Sequence, residues 1–142
     1  HAGVVEHALA ADRVQANPHR RGAGLRIEER RRGLQLFTVI DHQAAAFAAG
    51  LYLRPTSVFV FGSPKAGTPL MERHRVLALE LPLRILVWED DEDAVRLSYL
   101  RADQLTSQFA LESSTSAALE LPERIARALC ETDGTGQERR TQ

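Results

Sequence analysis

Four short apolar runs limit this chain to folds built around a sheet. Each is rich in β-branched and aromatic residues, a composition that favours strands over helices. The last two flank the acidic turn 90–93, so we expect them to pair as a hairpin. In the last run Val95, Leu97 and Tyr99 alternate with smaller or polar residues, which predicts a sheet with one buried face. The runs span 34–40, 57–61, 83–89 and 94–99.

Helical segments are expected around these strands. Asp41 is placed to cap the alanine-rich segment 43–49, which Gly50 follows. Thr68 is expected to cap another helix, with Pro69 at its first position. The predicted helices span 25–32, 43–49, 69–76, 102–109 and 122–130.

Length and composition indicate one ordinary globular domain. The chain has 142 residues, of which 44% are hydrophobic and 26% charged, and its formal net charge is -1. With so little net charge we expect no nucleic-acid partner, and without an apolar run of roughly 20 residues we expect no membrane partner. A single cysteine, Cys130, favours a reducing compartment, so the predicted location is cytoplasmic. The first residue is His1 and not Met, which leaves open that the sequence is a fragment.

The chain divides by composition into four stretches. The N-terminal one is interrupted by Pro18, Gly22 and Gly24, so we expect it to be helical or irregular, with a short strand at 4–5 as an alternative. A polar stretch at 112–116 is expected to be a linker before the last helix. The four stretches are 1–32, poorly defined; 33–111, the core domain; 112–133, linker and helix; and 134–142, a disordered tail.

The connection 62–68 has two glycines five positions apart, as a phosphate-binding loop has. Such a loop places a lysine and a hydroxyl residue directly after its second glycine. Here Lys65 precedes Gly67, and Thr68 and Pro69 follow it, so nucleotide hydrolysis is excluded. We therefore expect no cofactor at this connection.

Two interpretations of the connection remain. Free amides at a helix beginning near Thr68, together with Lys65, would suit a small anionic ligand. In the other interpretation, Gly67 and the prolines only shape a strand-to-helix connection, and Lys65 points to water. The candidate ligand-binding residues are Asp41, His42, Ser63, Lys65 and Thr68.

Catalysis would require His42 to work with a second group. Asp41 is adjacent, but neighbouring side chains on an extended backbone point to opposite faces, so direct pairing is not expected. His42 could act with Lys65 if their loops converge at one end of the sheet. The spacing of His42, His74, Glu89 and the aspartates of the turn 90–93 matches no metal motif, so no metal site is predicted.

Several segments of the chain together resemble domain of unknown function family 302, a prokaryotic family. The most specific is the run from Pro64 to Met71. The resemblance implies a small two-layer α/β sandwich of the α+β class, with a mainly antiparallel sheet of four or five strands and helices packed on one face. It also implies self-association and no established activity. The segments are 38–42, 53–56, 61–71, 81–89 and 97–99.

The absence of a recognisable nucleophile, metal set or cofactor motif favours a non-catalytic module. We expect it to bind a small ligand or to self-associate, most simply as a homodimer. The alternative is an enzyme acting on a small anionic metabolite, with His42 and Lys65 as the catalytic candidates.

Overall fold

The computed structural model describes residues 4–8, 26 and 30–134. Its centre is a five-stranded sheet in the order β1-β5-β4-β3-β2, and every neighbouring pair is antiparallel. The four predicted strands are present with bounds within one residue of those expected. The strands are β1 Val4–Ala8, β2 Gln35–Asp41, β3 Thr56–Gly62, β4 Leu83–Glu89 and β5 Val95–Leu100.

Five helices with defined bounds and two short 3₁₀ segments accompany the sheet in the described residues, and residues 26, 30 and 31 are also helical. The helices are α1 His42–Ala48, α2 Pro64–Arg73, α3 Ala102–Gln108, α4 Ser116–Leu119 and α5 Leu121–Gly134. The 3₁₀ segments are Arg75–Leu79 and Ser113–Thr115.

One face of the sheet carries the core. Register pairs Phe59 with Ile85 and Val87 with Leu97, so these alternate residues share a face, and all four are buried. Helical residues pack on the same face in one cluster: Leu70, Leu77, Leu105, Leu119, Ile125 and Ala126. The predicted α+β sandwich, with its helices on one face, is confirmed.

The N-terminal stretch supplies the fifth strand. β1 pairs with β5, where Val5 lies opposite Tyr99. The alternative of a short strand at 4–5 is therefore correct and extends to Ala8. Gly33 has a φ of 66° and its amide donates to the Arg30 carbonyl, as a helix terminator does. The predicted break at Pro18, Gly22 and Gly24 and the predicted tail 135–142 lie outside the described residues.

The predicted linker at 112–116 has regular local structure. The chain there forms the 3₁₀ segment Ser113–Thr115 and enters α4, and the Thr115 hydroxyl donates to the Glu112 carbonyl at 2.6 Å. Polar residues that looked like a linker instead satisfy their own backbone groups in a tight turn. This turn carries the chain to Leu119, which is buried in the core.

Antiparallel pairing gives the sheet two distinct ends. Asp41 lies opposite Ser57, and Gln35 lies opposite Gly62, so β2 and β3 each run from one end to the other. We call the end with α1, the loop 49–55 and the β4–β5 turn the α1 end. The opposite end, with Gly62 and α2, is the α2 end.

Candidate functional site

Helix α2 begins earlier than the sequence suggested. Ser63 is its N-cap, with an extended backbone and a side chain that accepts from the Ala66 amide, and Pro64 is its first residue. The prediction that Thr68 caps this helix is wrong, because Thr68 lies inside it. The free amides of the helix N-terminus therefore lie beside Ser63 and not at Thr68.

The error arose from two similar pairs of residues. Ser63-Pro64 and Thr68-Pro69 both have the pattern of a capping residue followed by proline. The chain uses the first pair and accepts Pro69 in the helix interior. Pro69 is exposed, so the hydrogen bond that its missing N–H would have made is lost where water can satisfy the carbonyl.

A cavity of about 300 Å³ opens beside this helix. One wall is the inner face of α2, another is the segment 81–83, and a third comes from α4. Phe37, which is 45% exposed, lies at its rim. We call this space the α2 cavity; it is lined by Phe37, Gly62, Ser63, Pro64, Ala66, Gly67, Thr68, Leu70, Met71, Leu81, Pro82, Leu83, Ala118, Leu119 and Leu121.

The predicted ligand-binding residues of the connection 62–68 do not all line the α2 cavity. Ser63 and Thr68 line it, whereas the described lining contains neither Lys65 nor any other charged side chain. The hypothesis that Lys65 and Thr68 bind an anion therefore stays a prediction. The described lining of this cavity contains no positively charged side chain that would pair with an anion.

Sequence reasoning missed the far walls of the cavity. Phe37, Pro82 and Ala118 come from segments distant in sequence, and only the tertiary fold brings them to α2. Phe37 lies where the register of β2 against β3 is irregular, between Leu36 and Thr38. This irregularity is a property of the paired strands, so the sequence alone carried no signal for Phe37.

The two catalytic candidates do not meet within the chain. His42 follows β2 at the α1 end, and Lys65 follows β3 at the α2 end. Strands of this length place the two ends roughly 20 Å apart. The proposed convergence of His42 and Lys65 is therefore wrong. The prediction assumed that β2 and β3 end at the same side of the sheet. Because the two strands are antiparallel, they end at opposite sides.

Asp41 has the structural role that the sequence suggested. Its Oδ1 accepts from the Ala44 amide at 2.9 Å and so caps α1. His42 is the first residue of that helix and lines a second cavity, of about 480 Å³, together with outward-facing residues of β3 and β4. Polar groups along this trough include Thr56, Ser98 and the ion pair of Glu80 with Arg84, whose atoms are 2.8 Å apart.

The acidic turn 90–93 is held by two arginines. Asp90 accepts from the amides of Glu92 and Ala94 with one oxygen and from Arg96 Nε at 2.6 Å with the other. The hydrogen bond from Arg96, aided by these amides, holds the pKa of Asp90 below its ordinary value. This carboxylate is thus ionised and engaged as part of the hairpin.

Arg54 ties the preceding loop to the same turn. Its guanidinium donates to Asp93 at 2.6 Å and to Glu89 at 2.9 Å. The hydrogen bond to Asp93, and then that to Glu89, raise the pKa of Arg54 above its ordinary value. Across the residues that the structure describes, no group of three His, Cys, Asp or Glu side chains is arranged to hold a metal ion.

Curated relatives resemble part of the chain. Two proteins named Fluoride-specific ion channel FluC 1, from Brucella suis biovar 1 and Brucella abortus biovar 1, are each 40% identical over 87 residues. The matched stretch is 61% of this chain but only 34% and 32% of those proteins, so the chain spans about a third of their length. In the described part of this chain no helix is long and apolar enough to cross a membrane.

The fold matches a solved structure, and most of the chain matches a family. An uncharacterized conserved protein, DUF302 from Bacillus stearothermophilus, superposes with a TM-score of 0.72 over 94% of this chain and 99% of that chain. At 10% identity this likeness shows the fold alone. The family described as domain of unknown function DUF302 matches residues 23–132. By that match over most of its length, the chain belongs to the DUF302 family.

Proposed function

We propose that this domain is a non-catalytic module that associates with a second copy of itself through its α1 end. The observation that carries the proposal is that α1 buries none of its seven residues. A helix this short has little stability of its own in water, and most helical stability in proteins comes from packing of an apolar face. An interface with another chain would supply that packing.

The apolar side chains around α1 point outward. Phe47 is 81% exposed and Tyr52 is 82% exposed, values unusual for aromatic residues in a monomer. Contiguous apolar exposure of this kind marks interaction sites. We call this set the α1 surface: Ile40, Phe47, Leu51, Tyr52 and Leu53.

The neighbouring strand also favours self-association. β2 is at the edge of the sheet, so one of its sides is unpaired in the described structure. Its sequence from Gln35 to Ile40 contains no proline and no charged residue, which are the usual protections of an edge strand. A second copy could extend the sheet across β2 and at the same time cover the α1 surface.

A second copy is favoured over a different protein for two reasons. Closed twofold dimers are the commonest soluble oligomers, and a self-complementary antiparallel edge suits that symmetry. The formal net charge of -1 adds almost no repulsion between two copies.

Analytical ultracentrifugation of matched variants tests the proposal. Phe47→Ser and Tyr52→Ser should each weaken the dimer by about tenfold or more, since each removes a large aromatic contact. The control is Leu79→Ser, because Leu79 is 78% exposed but belongs to the 3₁₀ segment that leads into β4 at the α2 end. A wild-type protein that stays monomeric at micromolar concentration, or a dimer that Leu79→Ser weakens as strongly, would contradict it.

A further inference from the structure

We propose that the α2 cavity binds a small, uncharged, mainly apolar molecule, somewhat larger than benzene. This goes beyond self-association, because the cavity lies at the opposite end of the sheet from α1. Its argument rests on the cavity's volume, on its lining and on the two glycines that keep it open.

The volume is suited to a small ligand. Engineered apolar cavities of about 150 Å³ remain dry and bind benzene, whereas the α2 cavity measures about 300 Å³. Natural ligand pockets begin at about this size. A single aromatic ring with a substituent, or a short branched aliphatic chain, would fit.

The lining selects against charge. The described walls are made of aliphatic, aromatic, proline and glycine residues and of Met71, with the hydroxyls of Ser63 and Thr68 as their polar side-chain groups. A charged ligand would lose its hydration there without gaining an oppositely charged side chain among the described lining residues, which is costly. An uncharged molecule meets no such penalty.

A hydrogen-bonding position remains at the mouth. Thr68 is exposed, and its hydroxyl makes no hydrogen bond to any residue that the structure describes. Ser63, in contrast, already accepts from the Ala66 amide at 3.4 Å. Thr68 is therefore the group that we assign to a hydroxyl or carbonyl on the ligand.

Two glycines leave space that other residues would fill. Neither Gly67 nor Gly62 has a positive φ, so neither position needs glycine for its backbone conformation. A Cβ at Gly67 would lie 3.9 Å from both Leu81 Cδ1 and Met71 Cε, which is ordinary contact. Glycine in a helix interior is destabilising relative to alanine. Since the backbone does not require glycine here, the open space beside it is the feature that glycine preserves.

The same reasoning applies to the strand. A Cβ at Gly62 would lie 3.7 Å from Pro82 Cβ and 3.8 Å from Phe37 Cε2, again without a clash. Both glycines line the cavity. The missing side chains at these two positions leave part of the cavity's volume open.

Met71 offers a direct probe, because it is the single methionine in the sequence and lines the cavity. We would label the full chain with ¹³C-methyl methionine, assign the resonance with Met71→Leu, and titrate with phenol, benzoate and inorganic phosphate. Phenol should shift the Met71 resonance saturably. Benzoate has the same ring but a carboxylate, and should bind at least about tenfold more weakly because of its unpaired charge. Phosphate should leave Met71 unchanged.

The single tryptophan serves as an internal control. Trp88 alternates with the buried Val87 in β4, so it lies on the outer face of the sheet, away from the cavity. Its indole resonance should not respond to phenol.

Filling the cavity should abolish binding. In Gly67→Leu, the new side chain enters the cavity, so phenol should no longer shift Met71 while the Trp88 resonance reports an intact fold. Ala118→Leu fills the same space from α4 and replaces this variant if Gly67→Leu does not fold. Lys65→Met is the matched control, since Lys65 is on the same helix but outside the described lining, and phenol binding should be unchanged.

Three results would overturn the proposal. The first is the absence of a saturable shift with phenol, and the second is phenol binding that survives both cavity-filling variants. Tighter binding of phosphate or benzoate than of phenol, lost in Lys65→Met, would instead establish an anion site at the 62–68 connection.

Discussion

The two ends of the sheet are built in opposite ways. At the α1 end, caps and ion pairs hold the backbone, with Asp41 on the helix and Arg54 on the hairpin, while the large apolar side chains face outward. At the α2 end the apolar side chains face inward around a cavity, and no charged side chain lies among its described lining residues. One end thus presents apolar surface outward, and the other lines an open apolar cavity.

The difference separates two kinds of binding. An outward apolar surface fits a macromolecule that can cover it, whereas a concave apolar cavity fits a small molecule. Stability should also respond differently at the two ends, since buried apolar packing is sensitive to volume and paired charges are sensitive to pH.

The largest effect should come from the wall of the cavity. Leu119 is 2% exposed and belongs to both the core and the cavity lining. Leu119→Ala should lower the free energy of unfolding by about 2–5 kcal/mol, because it removes buried packing and enlarges a space that is already present. Urea denaturation would measure it, with Leu79→Ala as the exposed control. A loss no larger than that of Leu79→Ala would mean that α4 does not pack as described.

Replacing a glycine by alanine should change the free energy of unfolding in opposite directions at the two ends. Gly50 follows α1 with a φ of 76°, so Gly50→Ala should destabilise by about 1 kcal/mol through backbone strain. Gly67→Ala should stabilise by about 0.5–1 kcal/mol, because Gly67 is in a helix and the added methyl meets no clash. Thermal unfolding of both variants would compare them, and equal signs would contradict the description of one of the ends.

Acid should weaken the α1 end through Asp90. Its pKa is held below the ordinary value by Arg96, so this carboxylate contributes stability that is complete above about pH 4 and is lost as the pH falls through the folded pKa. Asp90→Asn should lower the melting temperature at neutral pH by a smaller amount than the core substitution does. The difference from wild type should then shrink toward acid.

Asp91→Asn provides the matched control for the pH series. Asp91 is fully exposed, and its Oδ1 lies as far as 3.8 Å from Arg54 Nε, so this pair is weak. Replacing Asp91 should therefore leave the dependence of the melting temperature on pH close to that of wild type. If the difference in melting temperature between Asp90→Asn and wild type stayed constant from neutral pH into acid, the ion pair of Asp90 with Arg96 would not be the cause of the destabilisation.

The smallest effect on the isolated chain should come from the α1 surface. Phe47→Ser should change the free energy of unfolding of the monomer by less than about 0.5 kcal/mol, because the side chain has little packing to lose. At high protein concentration the same variant should be less stable than wild type by a larger amount, because wild type would then gain stability from association. Denaturation at two protein concentrations separates these contributions, and a concentration-independent loss would argue against the α1 surface as an interface.

The sequence predicted the strands well because their signal is local. β4 was predicted with its observed bounds, and the acidic turn 90–93 correctly indicated the hairpin with β5. Periodicity and turn residues depend on the nearest neighbours in sequence. The cap of α1 by Asp41 was predicted for the same reason.

The start of α2 could not be predicted because two equivalent local signals competed. Ser63-Pro64 and Thr68-Pro69 satisfy the same capping rule, and nothing nearby in sequence chooses between them. Extending the helix upstream to Pro64 brings Gly67 into a helical turn that faces Leu81. When the helix begins at Ser63-Pro64, it therefore packs against the segment around Leu81, a contact that no local pattern predicts.

The sequence alone determined the strands, the hairpin and the family resemblance, because these depend on the order and spacing of neighbouring residues. Tertiary structure alone decided which loops share an end. Antiparallel pairing separated His42 from Lys65, and it left the connection 62–68 beside Phe37, Pro82 and Ala118. The sites of this protein depend on strand direction, which links residues far apart in the chain and which no local pattern specifies.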